Sequence, residues 1–283
     1  MTDIVIFGGK GQLGTEFVSN IPDKYSFKNT AHDIVDIRNY SEVEKIFKKY
    51  NPNFVFNFAA ITDVDYCEDH PYETFEINKI GVQNIAICCK KYKSTLIFIS
   101  TGAVFSGEKD KPYIEADKRG PINIYGKSKK EAEDIILKML TKYYIVRCGW
   151  LFGGYKEDKK FVGKIANKLL VEKEIYVVND KYGSPTYTKD FSKGLLKIIE
   201  YNNYGVYHMV NDGCCSRYEC AREIKKILRG NCKITPIDSR NFKLRAKRPN
   251  MDALENYNLN KAGYFKMRNW KVVLRDYLSN YNL

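Results

Sequence analysis

Only three histidines accompany eight scattered cysteines (Cys67, Cys88, Cys89, Cys148, Cys214, Cys215, Cys220 and Cys232), and no two cysteines form a Cys-x-x-Cys pair. This pattern offers neither a metal site nor a disulfide framework, and it reads as reduced thiols in a cytoplasmic protein. A basic leader is also missing. Met1-Thr2-Asp3 runs straight into Ile4-Val5-Ile6-Phe7, an apolar run far too short for a signal peptide or a membrane span, so the chain is expected to start inside its fold. The net charge of +13 suits nucleic acid, an anionic surface or a phosphorylated small substrate, and charge alone selects none of them. No zinc-finger or aromatic-basic RNA-binding signature is present, and the lysines gather in helix-like stretches such as Glu42 to Lys49 and Ser128 to Lys138, where a solvated face accounts for them. Internal repeats, low-complexity tracts and long polar linkers are absent too, so any lobes should pack against each other rather than swing.

What the chain does have is enough apolar residue, 44% of 283, to bury the core of one large domain or of a dinucleotide domain carrying a smaller lobe. Strand-length apolar runs recur at Ile4 to Phe7, Phe54 to Phe58, Leu96 to Ile99 and Tyr144 to Val146, separated by helical spacing at Ser41 to Lys49 and Asn78 to Lys91. The alternation predicts an α/β protein built on a doubly wound parallel sheet of Rossmann type. Past residue 150 the pattern loosens into strands at Ile175 to Val178 and Val206 to Val210 and helices at Phe161 to Leu170, Lys189 to Ile199 and Arg217 to Leu228. This divides the chain into a domain over 1–150 and a smaller α/β lobe over 151–283, with part of 179–200 rejoining the first.

Gly8-Gly9-Lys10-Gly11-Gln12-Leu13-Gly14 follows the first strand and opens a helix. Gly9, Gly11 and Gly14 fit the G-x-G-x-x-G spacing, and Gly8, Gly11 and Gly14 fit a wider one. Either form lets the backbone approach a pyrophosphate at a helix N-terminus, where free N–H groups and the dipole favour negative charge. Asp33, near the predicted end of the second strand, could accept from ribose hydroxyls, which favours NAD over NADP, while His32 and Arg38 could tolerate a 2′-phosphate. Asp36 could receive the adenine amino group or simply cap a turn.

Tyr125 and Lys129 lie four apart at the start of a strong helix-forming stretch and so share a face. A free tyrosine has a pKa near ~10, so acting near neutrality means lowering it by roughly three units, about 4 kcal/mol, for which a neighbouring ammonium is the plausible source. Thr101 ends the strand before this helix, at the carboxyl edge where open parallel sheets bind ligands. Its hydroxyl could hold a carbonyl or cap a turn.

Taken together, these features resemble the extended short-chain dehydrogenases, and within them the dTDP-4-dehydrorhamnose reductase family. The markers are the glycine turn, Asn57-Phe58-Ala59-Ala60, Thr62-Asp63-Val64-Asp65, Ser100-Thr101, Tyr125-Gly126-Lys127-Ser128-Lys129 and Arg147-Cys148-Gly149-Trp150. Later in the chain come Asn179-Asp180-Lys181-Tyr182-Gly183-Ser184-Pro185-Thr186 and Lys247-Arg248-Pro249. The resemblance implies NADH or NADPH as cofactor and reduction of the C4 ketone of a nucleotide-linked 4-keto-6-deoxy sugar, in making cell-surface polysaccharide. It implies Tyr125 as proton donor, Lys129 as holder of the nicotinamide ribose and depressor of the tyrosine pKa, and Thr101 as hydrogen-bond donor to the carbonyl oxygen. Gly8, Gly11, Gln12, Leu13, Gly14, Asp33, Asp36, Ile37, Ala59, Ala60 and Asn78 would lie along the cofactor. Val64, Gly102, Ala103, Trp150 and Arg248 would meet the sugar nucleotide, the arginine reaching its diphosphate. Val64 and Trp150 also read as core residues.

One departure stands out. Family members usually carry Asp-Tyr directly after the threonine, and this chain has Gly102-Ala103, which leaves hydride transfer intact and puts the identity of the sugar in question. Two rival readings follow: a sugar-nucleotide epimerase, and a non-catalytic nucleotide-binding regulatory subunit. The expected partner is a nucleotide sugar, with no nucleic acid, membrane or metal, and a homodimer is allowed.

Overall fold

The computed structural model describes residues 2–30, 33–154, 158, 160–242 and 244–279. In its first half, strands and helices alternate: β1 (Ile4–Phe7), α1 (Gln12–Ser19), β2 (Phe27–Thr30), α2 (Tyr40–Tyr50), β3 (Phe54–Asn57), α3 (Val64–Asp69), α4 (Pro71–Phe75), α5 (Val82–Tyr92), β4 (Thr95–Thr101), α6 (Ile124–Met139) and β5 (Tyr143–Cys148). The second half carries β6 (Trp150–Phe152), α7 (Phe161–Val171), β7 (Glu174–Val178), β8 (Tyr182–Gly183), β9 (Pro185–Tyr187), α8 (Thr188–Ile198), β10 (Gly205–His208), β11 (Cys215–Ser216), α9 (Arg217–Leu228), β12 (Lys233–Ile237), α10 (Tyr257–Ala262) and α11 (Trp270–Ser279).

Six strands form one sheet in the order β10-β5-β4-β3-β1-β2, and every pairing in it is parallel. Parallel strands need long crossovers, and the helices that supply them cover both faces. Alternation along β1 divides the faces: Ile4 and Ile6 pack with Phe17, Phe191 and Leu195 from α1 and α8, while Val5 and Phe7 pack with Val43, Phe47, Ile85 and Ile136 from α2, α5 and α6. The protein is therefore an α/β fold of Rossmann type. Strand order reverses between β1 and β3, whose neighbours run off in opposite directions, so a crevice opens at their carboxyl ends.

The C-terminal half differs from the sequence reading in one respect. Besides the part of 179–200 expected to rejoin the first domain, β10 at Gly205–His208 also joins the sheet, hydrogen-bonded to β5. From that earlier stretch α8 packs against α1 and closes one sheet face. A four-residue apolar run leaves no periodic mark of which sheet it joins. A separate cluster gathers α7, α9, α11 and β7 around Phe152, Leu169, Ile224, Val273 and Tyr277. A second difference lies at Asn78, where helical spacing holds but Glu76–Gly81 winds as one π-type turn before α5 begins. Such single-turn bulges are frequent beside functional sites.

Candidate active site

The crevice deepens into a cleft of about 460 Å³, lined from the first domain by Gly8, Gly11, Gln12, Leu13, Gly14, Ala60, Val64, Thr101, Ala103, Tyr125 and Lys129, and from the second half by Trp150, Phe161, Arg217, Arg248 and Asp252. A neighbouring cavity of about 780 Å³ shares Trp150, Phe161, Arg217, Arg248, Pro249 and Asp252 with it, so the two form a continuous groove across the carboxyl edge of the sheet.

At the glycine turn Gly8 has φ +78°, and a Cβ there would sit 2.5 Å from the Ala59 nitrogen. Only glycine fits, and the loops after β1 and β3 thereby close to backbone contact. The result is a shallow cradle ahead of α1, whose first turn presents free N–H groups into the cleft, the arrangement a pyrophosphate requires. Gln12 donates from Nε2 to the Gly153 carbonyl, tying this cradle to the chain beyond β6.

Asn123 caps α6, its Oδ1 accepting from Gly126 N at 2.8 Å, and its Nδ2 donates to the Lys247 carbonyl at 2.9 Å. The cap fixes where the helix starts and so puts Tyr125 in the first turn and Lys129 one turn later, both toward the cleft. Thr101 leaves the end of β4 with its Oγ1 accepting from Ala103 N at 3.1 Å, which turns the chain toward the same space. Beneath them Glu133 of α6 is fully buried and takes hydrogen bonds from Ser100 of β4, Arg147 of β5 and Arg119.

Burial pushes the Tyr125 hydroxyl above the ordinary tyrosine range, opposed by a hydrogen bond with Thr101. Lys129 is 3% exposed, its Nζ 4.0 Å above the Phe98 ring, and burial pulls it down to about 8. Desolvation sets the direction of the tyrosine shift, and the phenol stays protonated.

The family described as RmlD substrate binding domain matches residues 1–283. The chain belongs to that family. It is 32% identical over 279 residues to the spore coat polysaccharide biosynthesis protein SpsK of Bacillus subtilis, covering 98% of this chain and 97% of the relative. With a dTDP-4-dehydrorhamnose reductase of Aggregatibacter actinomycetemcomitans it shares 31% identity over 291 residues, 98% of each chain. Among solved structures, a dTDP-4-dehydrorhamnose reductase of Clostridium acetobutylicum superposes with a TM-score of 0.94 at 37% identity, covering 98% of both chains. One from Bacillus anthracis, solved in complex with NADP, gives 0.94 at 32% identity over 98% and 99%. A UDP-glucose 4-epimerase of Thermus thermophilus, at 19% identity and 0.79, shares the fold alone.

For this member of the RmlD family, most of the residues expected along the cleft do line it, and several sit elsewhere. Asp33 lies beyond the end of β2, 60% exposed and paired with Lys10 of the glycine turn at 2.6 Å, while His32 lies outside the described residues. The Asp36 carboxylate receives Arg38 in a two-pronged pair, and Ile37 is buried against Gly81. Ala59 gives its N–H to Asn57 Oδ1. Asn78 does not face the cleft: fully buried, its amide clamps Ile61 and reaches Ser128 of α6, so it holds the walls in place. Gly102 is buried under the Asp252 backbone, leaving Ala103 as the one of the pair on the cleft. Arg248 lines both cavities but is held by Asp65 at 2.8 Å and by the Ala246 carbonyl at 2.9 Å.

Arg217 and Asp252 escaped the sequence reading. Both lie in the wall shared by the two cavities. The signal for Asp252 was its place three residues after Pro249 in the last family motif; Arg217 merely opens a helix after Ser216, and only packing reveals it.

Proposed function

We propose that this chain is an NAD(P)H-dependent reductase of the C4 ketone of a dTDP-linked 4-keto-6-deoxy sugar, converting dTDP-4-dehydrorhamnose to dTDP-rhamnose for cell-surface polysaccharide. The observation that carries the reading is the convergence of Thr101, Tyr125 and Lys129 with the glycine cradle in one cleft, in a family whose relatives include reductases of that name. Gly8, Gly11, Gln12, Leu13 and Gly14 would hold the cofactor's diphosphate, with Asp33, Asp36 and Ile37 toward its adenosine end and Ala60 along its length. Lys10 beside Asp33 suits a 2′-phosphate, as the NADP complex of the Bacillus anthracis relative suggests. When bound, the reduced nicotinamide supplies the hydride.

The remaining chemistry belongs to the side chains. Thr101 donates a hydrogen bond to the ketone oxygen, where negative charge develops. Tyr125, kept protonated by burial, transfers its hydroxyl proton to the alkoxide. Lys129, as an ammonium, then stabilises the phenolate left behind. Residues 1–150 together with α8 and β10 would serve the cofactor, and the rest of 151–283 the sugar nucleotide. The reading places a cytoplasmic enzyme on a nucleotide sugar, with no part for nucleic acid. No helix among the described residues is long and apolar enough to cross a membrane.

Following NADH and NADPH oxidation with dTDP-4-dehydrorhamnose tests this directly. Turnover with either cofactor is expected; none with any 4-keto nucleotide sugar overturns it. An epimerase would need no added reductant.

A further inference from the structure

Asp252 lies in the partition between the two cavities. Its Oδ2 accepts from Trp150 Nε1 at 3.3 Å, while its Oδ1 is buried and makes no hydrogen bond. A buried carboxylate oxygen without a donor is costly, and native proteins keep one mainly where something outside the chain completes it. Burial raises Asp252 to about 6, opposed by Arg217, Trp150 and Arg248, so at neutral pH it is mostly an anion.

The surrounding packing is specific to the altered dipeptide after Thr101. A Cβ on Gly102 would meet the Asp252 carbonyl at 2.5 Å, so no other residue at 102 would let this segment approach so closely. Where the family resemblance leads one to expect an acid at 102, the chain has a glycine, and the backbone of Asp252, from a distant segment, packs against it. Over the face of Trp150 the Arg217 guanidinium stacks 3.4 Å from the indole centroid and 4.5 Å from Phe161, with no side-chain hydrogen bond or ion pair among the described residues. The indole is thus fixed on its face by a cation and at its edge by the carboxylate.

We infer that Asp252 is the residue that reads the sugar: its free carboxylate oxygen accepts from a hydroxyl of the nucleotide-linked sugar, taking the place of the acid missing after Thr101. The inference rests on the proposed reductase reading, and its test does not need turnover. Calorimetric titration of dTDP-rhamnose and of dTDP alone into the wild type, Asp252→Asn and Asp252→Ser, with NADPH affinity and thermal unfolding as checks on the fold, separates sugar recognition from nucleotide recognition. Loss of one charge-assisted hydrogen bond weakens dTDP-rhamnose by about tenfold or more, while dTDP is unchanged; in kinetics KM rises and kcat moves little. Unaltered dTDP-rhamnose affinity in the variants, an equal loss for dTDP, or a wild type that binds dTDP-rhamnose no more tightly than dTDP each overturns the inference. A wild type that binds dTDP-rhamnose but reduces no keto sugar removes the reductase reading and leaves this measurement standing. Should the Asn variant fail to bind NADPH, the Ser variant, smaller and uncharged, decides.

Discussion

Tyr125 and Lys129 stand one helical turn apart, and burial drives each toward its neutral form. Tyr125→Phe removes the proposed proton donor without touching the glycine cradle, so turnover should fall by about 10²–10⁴ while NADPH affinity, read by fluorescence, stays at the wild-type value. Lys129 titrates near 8 instead of 10.5. If its ammonium is the working form, as proposed, kcat/KM for reduction declines as pH rises through about 8; a flat profile to pH 9.5 would remove Lys129 from the reaction. In stability the sign is fixed by linkage. Between about 8 and 10.5 the unfolded chain binds the extra proton at this lysine, so the contribution of Lys129 to stability rises with pH across that window, read as the difference between wild type and Lys129→Met. Asp252 runs the other way. Its folded pKa of about 6 exceeds the ordinary 3.8, so the folded state holds the extra proton between them and stability is lost as pH rises through that range. Asp252→Ser should therefore melt higher than wild type at pH 7, and the gap should close below about pH 4.

At the scale of elements, α6 carries the two side chains proposed for the chemistry, and its placement depends on two buried anchors. Asn123 ties its first turn to the Lys247 carbonyl, and Glu133 ties its middle to Arg147 of β5. Arg147 is 2% exposed and Glu133 wholly buried. Breaking the pair removes two charge-assisted hydrogen bonds and leaves Glu133 with Arg119 and Ser100 as its partners, so Arg147→Ala should cost about 1.5–3 kcal/mol in urea unfolding, with the double variant Arg147→Met/Glu133→Leu recovering much of the loss. If the single variant is near neutral, the helix is held by apolar packing of Ala132 and Ile136 instead. Sequence showed α6 clearly, because a glycine turn, a strand ending in Ser100-Thr101 and a helix with Tyr and Lys four apart come in a recognisable order. It did not show the anchors, because Glu133 and Arg147 meet only after the sheet has formed.

Across the whole molecule the chain leaves the six-stranded sheet after β5, returns to it with α8 and β10, and leaves again for α9. Neither half is therefore continuous, and the core that α8 completes cannot form without residues 188–198. Calorimetry should accordingly give one unfolding transition with equal van't Hoff and calorimetric enthalpies, and two resolved transitions would show the halves to be independent. What the sequence determined by itself is everything that rests on local order: continuous apolar strand runs, a glycine turn ahead of a helix, and the Tyr125–Lys129 face. What only the tertiary structure decided is everything that depends on distant segments meeting: the return of residues 205–208 to the sheet, the use of Asn78 as a clamp, the direction of the Tyr125 shift, and the pairing of Gly102 with Asp252. The physical reason is the same in each case. Hydrogen-bond satisfaction and desolvation depend on which atoms lie within a few ångströms, and in a parallel sheet those atoms come from segments far apart in the chain.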